Sequence, residues 1–175
     1  MNAPPDTKRR FPRGRDTRPG ARLVVVGLGS NVDGPEQIDR AIERITLEYD
    51  LLVRSTRYVG PPEVGPDEEL DEEAAPYSNA AILIRTADDH ATLKATLGAL
   101  ELELGRDRSI KGEVAIDLDI LLIQDEVVRD GDEVVVPHPD LTSKRHAAIP
   151  SAEVAPFLEH LTTREKLAAI AARLA

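Results

Sequence analysis

The sequence predicts a single α+β domain, because short apolar runs typical of strands alternate with segments whose apolar residues recur at helical spacing. Its 175 residues suit one compact domain, and a content of 41% hydrophobic and 31% charged residues is that of a globular protein. Since aromatic residues make up 3% of the chain, the core is expected to consist of leucine, isoleucine, valine and alanine.

The first half of the domain contains three predicted strands and one helix. Residues 23–28 form a continuous apolar run, as expected of a central strand, and Asp33-Gly34-Pro35 opens a helix with proline near its first position. Further strands are predicted from Leu51 to Tyr58 and from Asn79 to Thr86. The buried face of the helix is formed by apolar residues at helical spacing: Ile38, Ala41, Ile42, Ile45 and Tyr49.

The second half adds a helix, the strongest strand signal, a hairpin and a final helix. Asp88 or Asp89 caps the first of these helices, and a strand lies between Val114 and Gln124. Asp130-Gly131, between two valine runs, is typical of a hairpin turn. A capping box, Thr162-x-x-Glu165, predicts the start of the last helix. The core-facing residues of the two helices are Leu93, Leu97, Leu100 and Leu104, then Leu167, Ile170 and Leu174.

The order of these elements is β-α-β-β-α-β, the ferredoxin-like arrangement of an antiparallel sheet with helices on one face. An appended β-hairpin and C-terminal helices complete the predicted single domain, which spans residues 23–175. Because this fold supports many activities, the function has to be argued from particular residues.

Charge is distributed unevenly along the chain. The net charge is −10, but residues 1–22 contain seven basic and two acidic residues, which leaves −15 on the rest. The tail is rich in proline, glycine and arginine, so we expect it to be disordered and solvated, in preference to an RNA contact or an address. An acidic body excludes duplex nucleic acid as a partner, and the shortage of aromatic residues disfavours RNA recognition on the sheet.

Several classes of site are excluded by what the sequence lacks. It has no cysteine, which rules out disulfides, thiolate metal sites and a cysteine nucleophile, and its four histidines show no tight metal spacing. No apolar run is long enough to span a bilayer, and residues 1–22 lack the apolar segment of a secretory signal, so a cytoplasmic protein is expected. Residues 59–76 form a long loop with an acidic run, which indicates function or disorder.

The most informative segment runs from Ile116 to Leu122. Alternate side chains of a strand share a face, so Asp117 and Asp119 point the same way, with their Cα atoms about 7 Å apart. Ile116, Leu118 and Ile120 then face the core. Two carboxylates on a rigid strand suit Mg²⁺, which binds one or two carboxylates together with substrate phosphates. The alternative is a solvated polar face, although like charges at this spacing repel each other and aspartate is disfavoured in strands.

Basic residues follow the second helix, in Gly105-Arg106-Asp107-Arg108 and at Lys111. Paired guanidiniums on a loop fit a polyphosphate, although cations at a helix C-terminus also simply complement its dipole. Gly27-x-Gly29 is not a dinucleotide fingerprint, because Val32 occupies the position of the third glycine, and the chain has no Walker P-loop. Any ATP must therefore be held in another way.

Five segments in order resemble the 6-hydroxymethyl-7,8-dihydropterin pyrophosphokinase family over about residues 23–156. They are Gly29-Ser30-Asn31, Tyr77-Ser78-Asn79-Ala80-Ala81, Glu101-x-x-x-Gly105-Arg106-x-Arg108, Ile116-Asp117-Leu118-Asp119-Ile120-Leu121 and Pro137-His138-Pro139. The resemblance implies a ferredoxin-like fold. It also implies transfer of the β,γ-diphosphate of MgATP to the hydroxymethyl group of a reduced pterin, with release of AMP.

The resemblance also implies roles for individual residues. Asp117 and Asp119 would hold two Mg²⁺ ions, and Asp119 would help to activate the acceptor hydroxyl. Arg106 would be catalytic as well as phosphate-binding. The implied ATP contacts are Glu101, Arg106, Arg108, Lys111, Ile120, His138 and Lys144, and the implied pterin contacts are Gly60, Tyr77, Asn79 and His146. Without the resemblance, Tyr77 would be interpreted as a strand-edge aromatic residue and Asn79 as a turn residue.

The chain departs from the family pattern at two places. Lys111-Gly112-Glu113-Val114 stands where the family has Trp-Gly-Pro-Arg, so a loop arginine is missing, while Lys144 and His146 occupy positions usual for arginine and phenylalanine. Three hypotheses follow: an active pyrophosphokinase, the same chemistry on a different hydroxymethyl acceptor, or a non-catalytic nucleotide- or pterin-binding module. The expected partners are ATP and a reduced pterin, in a monomer or weak homodimer.

Overall fold

A computed structural model describes residues 16–62 and 75–175 of the chain. Residues 1–15 of the predicted tail lie outside the described residues, as does most of the predicted acidic loop. Residues 16–22, which the prediction assigned to the tail, are ordered, since Arg18 pairs with Asp16 and Asp88 and the first strand begins at Arg22. The strands are β1 (Arg22–Ser30), β2 (Asp50–Arg54), β3 (Tyr58–Gly60), β4 (Tyr77–Thr86), β5 (Asp117–Ile123), β6 (Val128–Asp130), β7 (Glu133–Val136), β8 (Glu159–His160) and β9 (Glu165–Lys166). The helices are α1 (Gly34–Glu48), α2 (His90–Glu103), α3 (Asp140–Ser143), α4 (Arg145–Val154) and α5 (Leu167–Leu174).

The main sheet has the order β2-β4-β1-β5, with β3 paired to β4 beyond the end of β2. All of its neighbouring strands are antiparallel. The predicted ferredoxin-like α+β fold is confirmed. Helices α1 and α2 connect strands that are not neighbours in the sheet, and β1 lies between β4 and β5. The predicted hairpin is present as β6 and β7, and Gly131 in its turn has a φ of 58°, which glycine adopts without strain.

The two faces of the sheet are covered by different helices. The core between the sheet and α1 and α2 contains Val24, Val26, Ile38, Leu97 and Leu118, among others. The opposite core joins the sheet to the C-terminal helices, with Val25, Leu83, Ala148, Leu167 and Ile170 among its members. The appended C-terminal helices therefore cover the face that the two crossover helices leave open.

Two local predictions are refined by the structure. Asp89 is the cap of α2, where its carboxylate accepts a hydrogen bond from the Thr92 N–H at 2.8 Å. The strand predicted from Leu51 to Tyr58 is split into β2 and β3, because Ser55 leaves the regular ladder and bonds Ala81 through both its main chain and its hydroxyl.

The predicted capping box at Thr162 is wrong. Helix α5 begins at Leu167, after Glu165 and Lys166 have paired with Glu159 and His160 in the small β8–β9 sheet. The Thr162 hydroxyl instead lies 3.1 Å from Nδ1 of the buried His160. A hydrogen bond to His160, two residues earlier in the chain, has therefore replaced the helix cap that the sequence pattern favours.

No helix in the described part of the chain is long and apolar enough to cross a membrane.

Candidate active site

One end of the main sheet carries a cavity of about 240 Å³. It lies where β1 ends and where β4 and β5 begin, on the face that α4 covers only in part. The predicted site residues that line it are Tyr77, Asn79, Asp117, Asp119 and His146. Residues proposed for the metal and for the pterin therefore share one cavity, although they are separated by as many as 69 positions between Tyr77 and His146.

The floor of the cavity is formed by the main chain of β1. In the ladder, Gly29 lies between Asp117 and Asn79, and Gly27 lies opposite Asp119. A Cβ atom at Gly29 would come within 3.4 Å of the Asn79 amide oxygen, and one at Gly27 would come within 2.9 Å of Leu121. The two glycines therefore keep open the space between the carboxylates of β5 and the polar start of β4.

Asp117 and Asp119 share the cavity face of β5, as the alternation of the strand predicts. Ile116, Leu118 and Ile120 are buried on the other side, in the core beneath α1 and α2. Asp119 is exposed at the cavity, but desolvation of its carboxyl by the surrounding protein raises its pKa, and the negative charge of Asp117 raises that pKa further. Neither carboxylate forms an ion pair with any residue among 16–62 and 75–175.

Two histidines, when protonated, and a third carboxylate also act on the charge of Asp119. His138 and His146 favour the ionised form of Asp119, whereas Asp140 opposes it. One oxygen of Asp140 lies 3.9 Å from Nδ1 of His138 and 3.9 Å from Nε2 of His146. Asp140 lines the cavity and was missed by the sequence analysis. Its position directly after Pro137-His138-Pro139 was the available signal.

The arginine loop begins beside this cavity. Arg106 is half-buried, its guanidinium donates to the main-chain oxygen of Glu113 at 3.1 Å, and its positive charge acts on Tyr77. Burial is the largest influence on Tyr77 and raises the pKa of its phenol, which Arg106 partly opposes. The side chain of Arg108 is 70% exposed and pairs with Glu101, and Lys111 is exposed.

The segment from Gly112 to Val114 is fastened to the end of β1. The Asn31 side chain accepts from the Val114 N–H at 2.7 Å and donates to the Gly112 carbonyl at 2.7 Å, and the Asn31 N–H donates to the Val114 carbonyl at 3.0 Å. Asn31 belongs to the first quoted motif but had received no role. It fixes the residues that lead into β5, and therefore the approach to Asp117.

Other predicted residues lie outside the lining of the cavity. Ile120 is 7% exposed in the core, so only its main chain can meet a ligand. Gly60 ends β3 and is followed by the lining residues Pro61 and Pro62. His138 and Lys144 flank α3 close to Asp140, and Glu101 is buried at the end of α2.

The donor set fits Mg²⁺ bound together with a polyphosphate. In the described part of the chain no three histidine, cysteine, aspartate or glutamate side chains converge as a metal-binding group. Two carboxylates on one strand are nevertheless the number that a magnesium–phosphate site needs, because phosphate oxygens and water supply the remaining ligands. The negative charge of Asp117 is one cause of the raised pKa of Asp119, and a cation bound at this site would reduce the repulsion between the two carboxylates.

The fold and site together define an α+β protein of the ferredoxin-like class with a two-carboxylate cavity at one end of its sheet. The family model for 7,8-dihydro-6-hydroxymethylpterin-pyrophosphokinase matches residues 25–156, which is most of the chain. The chain belongs to this family, as the resemblance of its motifs predicted.

Curated relatives agree with this assignment. The chain is 32% identical over 133 residues to the 2-amino-4-hydroxy-6-hydroxymethyldihydropteridine pyrophosphokinase of Haemophilus influenzae, covering 74% of this chain and 79% of that protein. The enzyme of the same name from Aquifex aeolicus is 32% identical over 146 residues, covering 82% and 87%. The Bacillus subtilis enzyme is 29% identical over 142 residues, covering 81% and 83%.

Solved structures support the fold. The Plasmodium falciparum HPPK-DHPS crystallised with pteroate matches with a TM-score of 0.65 at 11% identity, over 88% of this chain. A second HPPK-DHPS, in complex with substrates, matches with a TM-score of 0.67 at 12% identity. This chain spans 42% and 44% of those longer proteins.

Proposed function

We propose that this protein transfers the diphosphate of ATP to 6-hydroxymethyl-7,8-dihydropterin and releases AMP. The observation that carries the proposal is that Asp117 and Asp119 lie in the same cavity as Tyr77 and Asn79, across a floor of glycine main chain. Its family and the names of its relatives support this reaction in folate biosynthesis.

In this reaction the acceptor hydroxyl oxygen bonds to the β-phosphorus of ATP. The bond from that phosphorus to the oxygen shared with the α-phosphate breaks, AMP leaves with the electron pair, and the hydroxyl gives up its proton. Two Mg²⁺ ions held by Asp117 and Asp119 would neutralise the phosphate charge that otherwise repels the carboxylates. Asp119 is assigned to accept the hydroxyl proton, the role that the resemblance implies for this position, and it lies in the same cavity as Tyr77 and Asn79.

The remaining roles follow from position. Tyr77 is assigned to stack on the pterin, and Asn79, next to Gly29 in the ladder, to bond its polar edge. Arg106 is assigned to the transferring phosphates from the loop beside Tyr77. Asn31 holds Val114 where the family has its loop arginine, so stabilisation of the phosphates rests on the metal ions, Arg106 and the exposed Arg108 and Lys111.

A different hydroxymethyl acceptor is the second candidate, and it rests on His146. This imidazole lines the cavity beside Asp140 where the family usually places a phenylalanine. A polar ring in contact with a carboxylate favours an acceptor with an additional hydrogen-bonding group over a purely stacked pterin.

AMP release from MgATP, with and without 6-hydroxymethyl-7,8-dihydropterin, tests the proposal. We expect AMP and the pterin diphosphate ester to form in equal amounts, and only when the pterin is present. Release of AMP with other hydroxymethyl heterocycles but not with the pterin would favour the second candidate. If no acceptor supports AMP release while the nucleotide still binds, the protein is a binding module and the proposal is wrong.

A further inference from the structure

We propose that Glu101 is a positioning residue, which holds the strand between Asp117 and Asp119 and the arginine loop in one arrangement without touching the nucleotide. The inference rests on the proposed function and refines the nucleotide contact that the resemblance assigns to Glu101. It is carried by the hydrogen bonds and burial of this one carboxylate at the end of α2.

The first contact of Glu101 is with the strand that carries the two aspartates. Its Oε1 accepts a hydrogen bond of 2.7 Å from the main-chain N–H of Leu118, which is the residue between Asp117 and Asp119. Strand β5 lies at the edge of the main sheet, so an N–H that points away from β1 requires a partner outside the ladder. Glu101 supplies that partner and so fixes the segment on which the spacing of the two carboxylates depends.

The second contact of Glu101 is with the arginine loop. Its Oε2 accepts from Nη2 of Arg108 at 3.1 Å, and its main-chain carbonyl accepts from the Arg106 N–H at 2.9 Å. One residue therefore links both arginines to the strand of the metal-binding aspartates. Since phosphates bridge a metal and guanidinium groups, the distance between these two elements has to be set accurately.

The surroundings of Glu101 leave it little access to a ligand. The residue is 6% exposed, and each carboxylate oxygen already accepts a hydrogen bond. Desolvation raises the pKa of its carboxyl, while the Leu118 N–H and Arg108 favour the ionised form. A buried, hydrogen-bonded carboxylate of this kind orients its neighbours in the way that outer residues orient metal ligands.

Glu101→Gln tests the proposal, with Glu103→Gln as the matched control. Glu103 lies on the same helix but is exposed and pairs with Arg44 at 2.7 Å, away from the cavity. Glutamine at position 101 keeps an acceptor for Leu118 but loses the charge that holds Arg108. We expect the affinity for AMP to stay within about twofold, while Mg²⁺-dependent affinity for a non-hydrolysable ATP analogue and kcat each fall about tenfold.

Glu101→Ala adds a readout that is independent of nucleotide. It removes both side-chain contacts, so the hydrogen exchange of the Leu118 amide should become at least about tenfold faster than in the full-length wild-type protein. Arg108→Gln should reproduce the Glu101→Gln effect, and the two substitutions combined should cost no more than either alone.

A loss of AMP affinity in Glu101→Gln equal to the loss of analogue affinity would show that Glu101 contacts the nucleotide, and would overturn the proposal. Unchanged analogue affinity and unchanged Leu118 exchange would also overturn it. If wild-type protein releases no AMP with the pterin while these binding and exchange results appear, the proposed function fails and the positioning role of Glu101 stands.

Discussion

Both ends of the main sheet carry clustered aspartates, but the surroundings of the two clusters differ. At the end where β1 begins and β4 finishes, Asp16 and Asp88 enclose the guanidinium of Arg18. At the other end, Asp117 and Asp119 face the cavity and form no ion pair with any described residue. The same residue type therefore has a cationic partner at one end and no ion-pair partner among the described residues at the other.

The pKa values follow this difference. Hydrogen bonds from Arg18 lower the pKa of Asp16 from 3.8 to about 2. Burial and the charge of Asp117 instead raise the pKa of Asp119. Asp16 also accepts from the Ala87 N–H at 3.1 Å, so it closes the sheet end as a structural group. Carboxyl groups with a raised pKa that line a cavity are common at binding and catalytic sites.

Removal of the cavity carboxylates should have the largest effect. In the double variant Asp117→Asn, Asp119→Asn we expect pterin-dependent AMP formation to fall roughly 1000-fold or more, because the metal ions lose their protein ligands. Initial rates at saturating MgATP measure it. The control is Asp125→Asn. Asp125 lies in an exposed turn and has a left-handed backbone conformation, which asparagine also adopts. If the double variant loses less than tenfold in rate, Asp117 and Asp119 are not the residues that catalysis depends on.

Neutralising the opposite end should affect stability and leave catalysis unchanged. We expect Asp16→Asn to lower the free energy of unfolding by about 1 kcal/mol, after allowance for solvent screening of the pair with Arg18. Urea denaturation at pH 7 measures this difference, and the rate of AMP formation should match wild type. An activity loss at unchanged stability would mean that the two ends are coupled.

The stabilisation by Asp16 should depend on pH. Its pKa is lower in the folded protein than in the unfolded chain, so its contribution is complete above about pH 5 and is lost progressively as the pH falls toward 2. The difference in unfolding free energy between wild type and Asp16→Asn should therefore shrink over that range. A difference that stays constant from pH 6 to pH 2.5 would show that Arg18 does not favour the ionised carboxylate.

The smallest effect is expected for the ligand-free stability of Asp119→Asn. Since desolvation and Asp117 disfavour its negative charge, its removal should raise the free energy of unfolding by about 0.3 kcal/mol after allowance for solvent screening at this exposed residue, opposite in sign to Asp16→Asn. Denaturation in the presence of a metal chelator measures it. Destabilisation by more than about 1 kcal/mol would instead assign Asp119 a structural role.

The sequence predicted the features that depend on strict periodicity. The alternation around Asp117 and Asp119 places both carboxylates on one face, and the spacing of the leucines in α2 predicts its buried side. Features that depend on hydrogen bonds to other elements were missed or wrong. The Thr162 box satisfies a helix-start pattern, yet its hydroxyl bonds His160. Strand β2 ends early because Ser55 bonds Ala81, which lies 26 residues further along the chain.

The same distinction applies within the site. Glu101 appears in a motif that the resemblance links to nucleotide, but only the folded chain shows its carboxylate on the Leu118 N–H. Asp140 acquires its position because α3 begins beside the cavity, between His138 and His146. Neither relation is encoded in local spacing, because each depends on how the elements pack.

Isothermal titration of a non-hydrolysable ATP analogue, with and without Mg²⁺, tests the central contrast most directly. The wild-type protein and Asp16→Asn should bind the analogue tightly only when Mg²⁺ is present, while the Asp117→Asn, Asp119→Asn variant should lose that metal-dependent binding. If the double variant binds the analogue as tightly as wild type, or if Asp16→Asn loses as much affinity as the double variant, Asp117 and Asp119 do not form the metal–polyphosphate site.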